Sequence, residues 1–135
     1  MFSISNGNEF ISFEIEKHFE ISKTQPWECY FLNVKAKSGF ISINRTVEAH
    51  KQAMVTLYEK LKKCYERVSG TVDAERFSFE EDFSLKIQFD NWGHVNVTAF
   101  LTDHFGNDCH LSFQTDQTFI PQTLNGMKET FGFVD

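Results

Sequence analysis

Little in this chain points to an active centre. It has no glycine-rich phosphate loop, no G-x-S-x-G elbow and no H-E-x-x-H pair. Cysteine is scarce: Cys29, Cys64 and Cys109 are odd in number, sit at unrelated spacings and include no Cys-x-x-Cys. No disulfide framework follows from that pattern, and reduced, buried thiols of a cytoplasmic protein are expected. No apolar run is long enough to span a membrane. The start, Met-Phe-Ser-Ile-Ser-Asn-Gly, lacks a basic region followed by an apolar run, so no secretory signal is expected. Positive charge is also in deficit, with 13 Lys and Arg against 19 Asp and Glu and a net charge of −6. That balance argues against nucleic acid as a direct ligand, because neutralising phosphates needs a basic surface. It permits a basic protein partner, since complementary charge speeds encounter. Repeats, linkers and low-complexity tracts are lacking as well.

What the chain does have is apolar bulk and clear periodicity. Its 135 residues are 41% hydrophobic and include 16 Phe. A chain of this length buries roughly two thirds of its unfolded surface, so a single domain over 1–135 is expected. The Phe residues suit packing; an aromatic-lined ligand pocket is the other use for them.

Alternation with period two is strongest from Phe83 onward. Phe83, Leu85, Ile87 and Phe89 alternate with Ser84, Lys86 and Gln88; Val95, Val97, Ala99 and Leu101 form a second run; Leu111 and Phe113 form a third. Each predicts a strand with one dry face. Asp90-Asn91-Trp92-Gly93 and Asp103 to Asp108 are the intervening loops. Upstream, Phe2 to Ile4 is a short strand candidate with Asn6-Gly7 as a turn. Phe10 to Ile15 and Phe19 to Ile21 read as one strand bent near His18, and Lys23 to Pro26 as a connection. Trp27 to Lys37 and Phe40 to Arg45 read as a hairpin turning at Ser38-Gly39.

Between these blocks the period changes. Val47, His50, Met54, Leu57, Leu61, Cys64 and Val68 recur at intervals of three and four. This predicts one amphipathic helix of about six turns, stopped at Gly70. Thr71 to Phe79 is a weaker extended segment, closed by a polar turn at Glu80-Glu81-Asp82. A final helix is predicted from near Thr118, with Pro121 in its first turn and Ile120, Leu124, Met127 and Phe131 as its buried stripe. The fold class is therefore α+β: an antiparallel sheet of about six to eight strands, with the long central helix and the C-terminal helix on one face.

His94, Asp103, His104, Asp108, Cys109, His110 and Asp116 gather acids, imidazoles and a thiol in one stretch. Their spacing lacks the repeated short intervals of a zinc signature. Cys109 and His110, adjacent on a strand, point to opposite faces and cannot act as a nucleophile–base pair. No carboxylate pair among Glu80, Glu81, Asp90 and Asp103 is singled out for glycosidase chemistry. No catalytic, cofactor or metal-binding residue is assigned. The densest charge feature is the run from Asp73 to Asp82, with Glu75, Glu80 and Glu81 between them and Arg76 as its one base. It reads as a solvated turn or an acidic docking surface. Trp92 in its loop is either folded back or an exposed interface anchor.

The segment from Gly93-His94-Val95 to Asp103, followed by Leu111-Ser112-Phe113-Gln114-Thr115-Asp116-Gln117-Thr118, resembles the WapI-like immunity protein family. The Trp27 strand, the Phe40 return, the long helix ending at Ser69-Gly70 and the Phe83 strand stand in that family's order, so the resemblance runs nearly full length. It implies a bacterial cytoplasmic protein that binds and blocks the catalytic domain of a cognate toxin and is not itself an enzyme. It supplies no catalytic residues. Asp116-Gln117-Thr118 has its own physical use, since Asp or Thr ahead of a helix accepts its free N–H groups.

The leading expectation is thus an immunity protein that occludes its toxin, a basic nuclease being one toxin class that carboxylates would suit. Glu80, Glu81, Asp82, Asp90 and Trp92 are the expected partner contacts. No direct nucleic-acid or membrane contact is expected, and an unpaired edge strand would permit a homodimer. A small-molecule-binding domain with an aromatic-lined cavity between helix and sheet is the alternative. An enzyme using the His94–His110 region is the third reading.

Overall fold

A computed structural model describes residues 1–20, 28–74, 77, 82–103 and 105–133. Strands β1 (Phe2–Ser5), β2 (Phe10–Glu20), β3 (Glu28–Ser38) and β4 (Ile41–His50) form one antiparallel meander, and helix α1 (Lys51–Arg67) follows it. Strands β5 (Gly70–Ala74), β6 (Phe83–Phe89), β7 (His94–Thr102) and β8 (Asp108–Asp116) form a second meander, and a 3-10 turn at Gln117–Phe119 leads into helix α2 (Ile120–Phe131). The class is α+β, with the eight strands divided between two four-stranded sheets. The order of elements repeats: four strands and a helix, then four strands and a helix.

Alternation sets the register. Leu85, Ile87 and Phe89 stand opposite Ala99, Val97 and Val95, and Val97 and Ala99 stand opposite Phe113 and Leu111, all buried. In the first sheet Tyr30, Leu32, Val34 and Ala36 face inward with Ala49 and Val47. Both sheets and both helices contribute to one buried cluster. The Phe rings pack on each other within it: Phe77 meets Phe83 edge-on at 4.7 Å between centroids, and Phe2 stacks on Phe13 at 4.7 Å. Edge-to-face and offset geometries of this kind suit the ring quadrupoles.

The sheets are tied together along β8. The Ser38 hydroxyl donates to the Ser112 carbonyl at 2.6 Å, the Asn6 amide to the Gln114 carbonyl at 2.9 Å, and the Thr115 hydroxyl to the Ser5 carbonyl at 2.7 Å. Two carbonyls of an edge strand are thereby satisfied by side chains, which blunts that edge for pairing with another chain. Arg45 stands opposite Val34 in the β3–β4 register, on the core-facing side of edge strand β4. It donates to the Thr102 carbonyl and pairs with Asp82 at 3.1 Å. A charge turned inward on an edge strand is a further guard against edge-to-edge association. Helix α2 lies against β1, where the Thr123 hydroxyl donates to the Ser3 carbonyl at 2.6 Å.

Three local expectations are corrected. Val47 and His50 belong to β4, not to the helix, so the buried helical stripe starts at Met54. Val47 and His50 are three apart, a spacing that shares one face of a helix, but in β4 it places them on opposite faces. The irregularity in β2 falls between Ile15 and Lys17, ahead of His18. Helix α1 stops at Arg67 with Val68 in the left-handed region at φ 53°, two residues before Gly70. Trp27, Ile21 and the connection at 23–26 lie outside the described residues.

Candidate functional site

The two hairpin loops on either side of β7 are built to one plan. Asp90-Asn91-Trp92-Gly93-His94 and Asp103-His104-Phe105-Gly106-Asn107 share the pattern Asp-x-aromatic-Gly-x. In the first, the Asp90 carboxylate accepts the Trp92 N–H at 2.8 Å and the His94 N–H at 3.0 Å, and the Asp90 N–H donates to the His94 carbonyl at 3.0 Å. In the second, the Asp103 carboxylate accepts the Phe105 N–H at 2.8 Å and the Asn107 N–H at 2.9 Å, and the Asp103 N–H donates to the Asn107 carbonyl at 3.0 Å. Gly93 and Gly106 close the loops at φ 84° and 86°, a region that L side chains rarely adopt. Each Asp therefore folds its own turn, and each turn holds an aromatic side chain out in solvent. Trp92 is 85% exposed and Phe105 91% exposed.

The electrostatics agree with a structural role for both carboxylates. Partial desolvation pushes Asp90 up, but the Trp92 and His94 N–H groups and the His94 imidazole outweigh it and hold the group below the usual range. The Asn107 side chain and N–H lower Asp103 in the same way.

The loops sit at opposite ends of β7, whose nine residues span about 30 Å. Between them, the outer face of the second sheet carries Lys86, Asn96, Thr98 and Ser112 around Phe100, which is 40% exposed and meets His110 edge-on at 6.2 Å. A third turn, in the first sheet, leaves Phe40 99% exposed. Phe40 and Phe105 were not singled out from the sequence. The repeated Asp-x-aromatic-Gly-x pattern was the available signal for Phe105, and an aromatic next to a turn glycine was the signal for Phe40.

The expected contact residues are distributed as follows. Trp92 is at a solvent-exposed tip. Asp90 is occupied by its own turn. Asp82 is half-buried against Arg45, and its carbonyl accepts the Thr102 N–H at 3.0 Å, which puts it at the Phe105 end of the sheet. The seven residues of β6 separate it from Asp90 by about 23 Å. Glu80 and Glu81 lie outside the described residues. Within the same run Phe77 is buried and its carbonyl accepts the His50 N–H at 2.7 Å, so part of the acidic segment is anchored in the core.

The chemical candidates come apart. His94 stands opposite Asp116, whereas His110, six positions before Asp116, stands opposite Phe100; the two imidazoles are about 20 Å apart along the sheet. That is far outside hydrogen-bond reach. Cys109 pairs across with inward Leu101 and His110 with outward Phe100, so they face opposite ways. His104 is outside the described residues. Asp116 accepts the Thr118 N–H at 2.9 Å as the cap of the 3-10 turn. One other cluster does form: Cys29, Glu48 and His50 bring a sulfur, a carboxylate oxygen and a ring nitrogen within 4.8 Å of one another. Burial pushes the Cys29 thiol up and the Glu48 charge adds to it. A nucleophilic cysteine needs the reverse shift and access for substrate, and Cys29 is 0% exposed.

The depression between α1 and β5, about 280 Å³, is lined by Gln52, Ala53, Thr56, Leu57, Lys60 and Val72 with Asp73 and Ala74. No aromatic side chain is among them, whereas Phe2, Phe13, Phe77 and Phe83 pack together in the core. Among the described residues no helix is long and apolar enough to cross a membrane.

Fold and site together define a small α+β protein that presents exposed aromatic side chains on hydrogen-bonded turns. The chain belongs to the Immunity protein WapI-like family, whose model matches residues 1–132. That membership supports an immunity role and implies a cognate toxin as binding partner. A search of curated proteins gave no match.

Proposed function

We propose that this protein binds the catalytic domain of a cognate bacterial polymorphic toxin in the cytoplasm and neutralises it by covering its active site, without turning over any substrate. Membership of the WapI-like immunity family carries this reading. The separation of the titratable side chains on β7 and β8 favours a binding role over a catalytic one.

We place the docking surface on the outer face of the second sheet, bounded by Trp92 at one end and Phe105 at the other. A standard interface takes about 800 Å² from each partner, a patch roughly 30 Å across, which is the span between these tips. Trp is enriched among residues whose truncation costs most affinity, and a preformed turn spares the entropy of ordering it. Glu80 and Glu81 supply acidic contacts to the toxin, while Asp82 and Asp90 act by holding Arg45 and the Trp92 turn. A net charge of −6 suits a basic toxin, a nuclease among them, through faster encounter. The blunted edges at β4 and β8 favour a monomer as the binding species.

The test is binding and growth rescue with the toxin domain encoded beside this chain, as in a contact-dependent inhibition system. Wild type should form a stable complex and restore growth. Trp92→Ala with Phe105→Ala should weaken binding at least tenfold, and Glu80→Lys with Glu81→Lys should slow association. Full rescue by a variant carrying all four changes would discard this surface. Failure of wild type to bind would discard the immunity role for that toxin.

A further inference from the structure

Cys29 is fully buried yet stands apart from the main cluster of buried side chains. The residues beside it on β3 and β4 explain why. Tyr30 and Leu32 point into the core opposite Ala49 and Val47, so Cys29 and its direct partner His50 project from the other face of the first sheet. Glu48, two positions before His50 on β4, projects from that face as well, opposite Phe31. Phe19 stands opposite Cys29 from the β2 side, and its ring meets Phe31 at 4.9 Å. A thiol, an imidazole and a carboxylate thus converge beside the Phe19 and Phe31 rings, on the sheet face opposite the main buried cluster.

We propose that Cys29, Glu48 and His50 bind a divalent transition metal ion of the zinc class. The three donors lie within 4.8 Å of one another. Tetrahedral zinc with bonds of about 2.0 to 2.3 Å places its ligands roughly 3.5 Å apart, so side-chain rotations of about 1 Å close the set around an ion. Thiolate and imidazole select Zn²⁺ over the hard cations Mg²⁺ and Ca²⁺. Three protein ligands leave a fourth position for water. The geometry comes from the fold: directly opposite positions on two neighbouring strands, plus the next same-face position on one of them. The His50 and Glu48 side chains are 12% and 26% exposed, so the site lies close to the surface. Such an ion would cross-link β3 to the end of β4, at the residue that caps α1. The site is separate from the proposed toxin-binding face and stands or falls independently of it.

The probe is Co²⁺ titrated into the full-length, chelator-treated protein. A one-to-one saturating thiolate-to-cobalt charge-transfer band, with the visible d–d bands of a four-coordinate ion, is expected, and Zn²⁺ should displace it. Zn²⁺ should also raise the melting temperature. Cys29→Ser should abolish the charge-transfer band, and Glu48→Gln and His50→Gln should each weaken binding by at least about tenfold, with far-ultraviolet circular dichroism confirming that each variant is folded. The absence of a saturating cobalt–thiolate band in the wild type overturns the proposal without reference to any variant. So does a band that persists in folded Cys29→Ser, because Cys64 or Cys109 would then be the ligand.

Discussion

Replacing Gly126 by alanine separates two opposing physical effects by sign. Gly126 lies inside α2, where an alanine normally stabilises a helix by about 0.8–1 kcal/mol. Here a Cβ at that position would meet Phe2 Cβ at 3.0 Å, the Met1 carbonyl oxygen at 3.1 Å and Phe2 Cα at 3.1 Å. Two of those atoms belong to buried Phe2 on β1, whose ring is held by Phe13 and by Phe131 at 5.6 Å. They cannot rotate aside as the end of a long side chain would, so α2 must lift from β1. Overpacking of this kind costs about 1–3 kcal/mol, which exceeds the propensity gain. The net expectation is a loss of about 1 kcal/mol, or roughly 3 °C in melting temperature for a chain of this size. Gly126→Val should lose more, because it adds two methyl groups and gains less helix propensity. Thermal unfolding followed by circular dichroism and calorimetry reads the difference. A Gly126→Ala variant that melts above wild type would refute the close approach of α2 to β1.

Other expectations follow from single residues. Val68 pays for a left-handed backbone at φ 53°, so Val68→Gly should raise stability by about 0.5–1 kcal/mol, after allowing for the freer unfolded chain; chemical denaturation with an unchanged slope would confirm it. Thr123→Val removes the hydroxyl that donates to the Ser3 carbonyl and should lower stability by about 1 kcal/mol, seen as an earlier urea midpoint. Asp90 and Asp103 have lowered pKa values in the fold. Their contribution is therefore present above the unfolded value near 3.9 and lost as pH falls through the lower folded values. Amide exchange at the two loops should accelerate in acid beyond the intrinsic pH trend, and Asp90→Asn with Asp103→Asn should remove that pH dependence.

Legibility followed the physics of each element. The Phe83–Phe89 strand was readable to the residue because a strict apolar/polar alternation fixes both its type and its buried face. The neighbouring strands extend beyond their apolar alternation, to His94–Thr102 and Asp108–Asp116, because backbone pairing continues where polar residues occupy both faces. The division into two sheets left no local trace, since it depends on which edge meets which helix. Trp92 was legible as a loop aromatic, but whether it folds back or stands out depends on hydrogen bonds to Asp90 that composition does not reveal. The Cys29–Glu48–His50 cluster was hidden for a different reason: its members are remote in sequence and meet only through the β3–β4 register, and the spacing of His50 from Val47 and Met54 also fits a helix.

The proposed role is to cover a toxin without turnover of any substrate. Isothermal titration of the purified protein into its cognate toxin domain, with the toxin's catalytic rate followed in the same samples, tests it most directly. Loss of toxin activity in step with saturation of a one-to-one complex, weakened in parallel by Trp92→Ala and Phe105→Ala, is the predicted result. Toxin activity that persists in the saturated complex, or that vanishes at substoichiometric amounts of this protein, would contradict it.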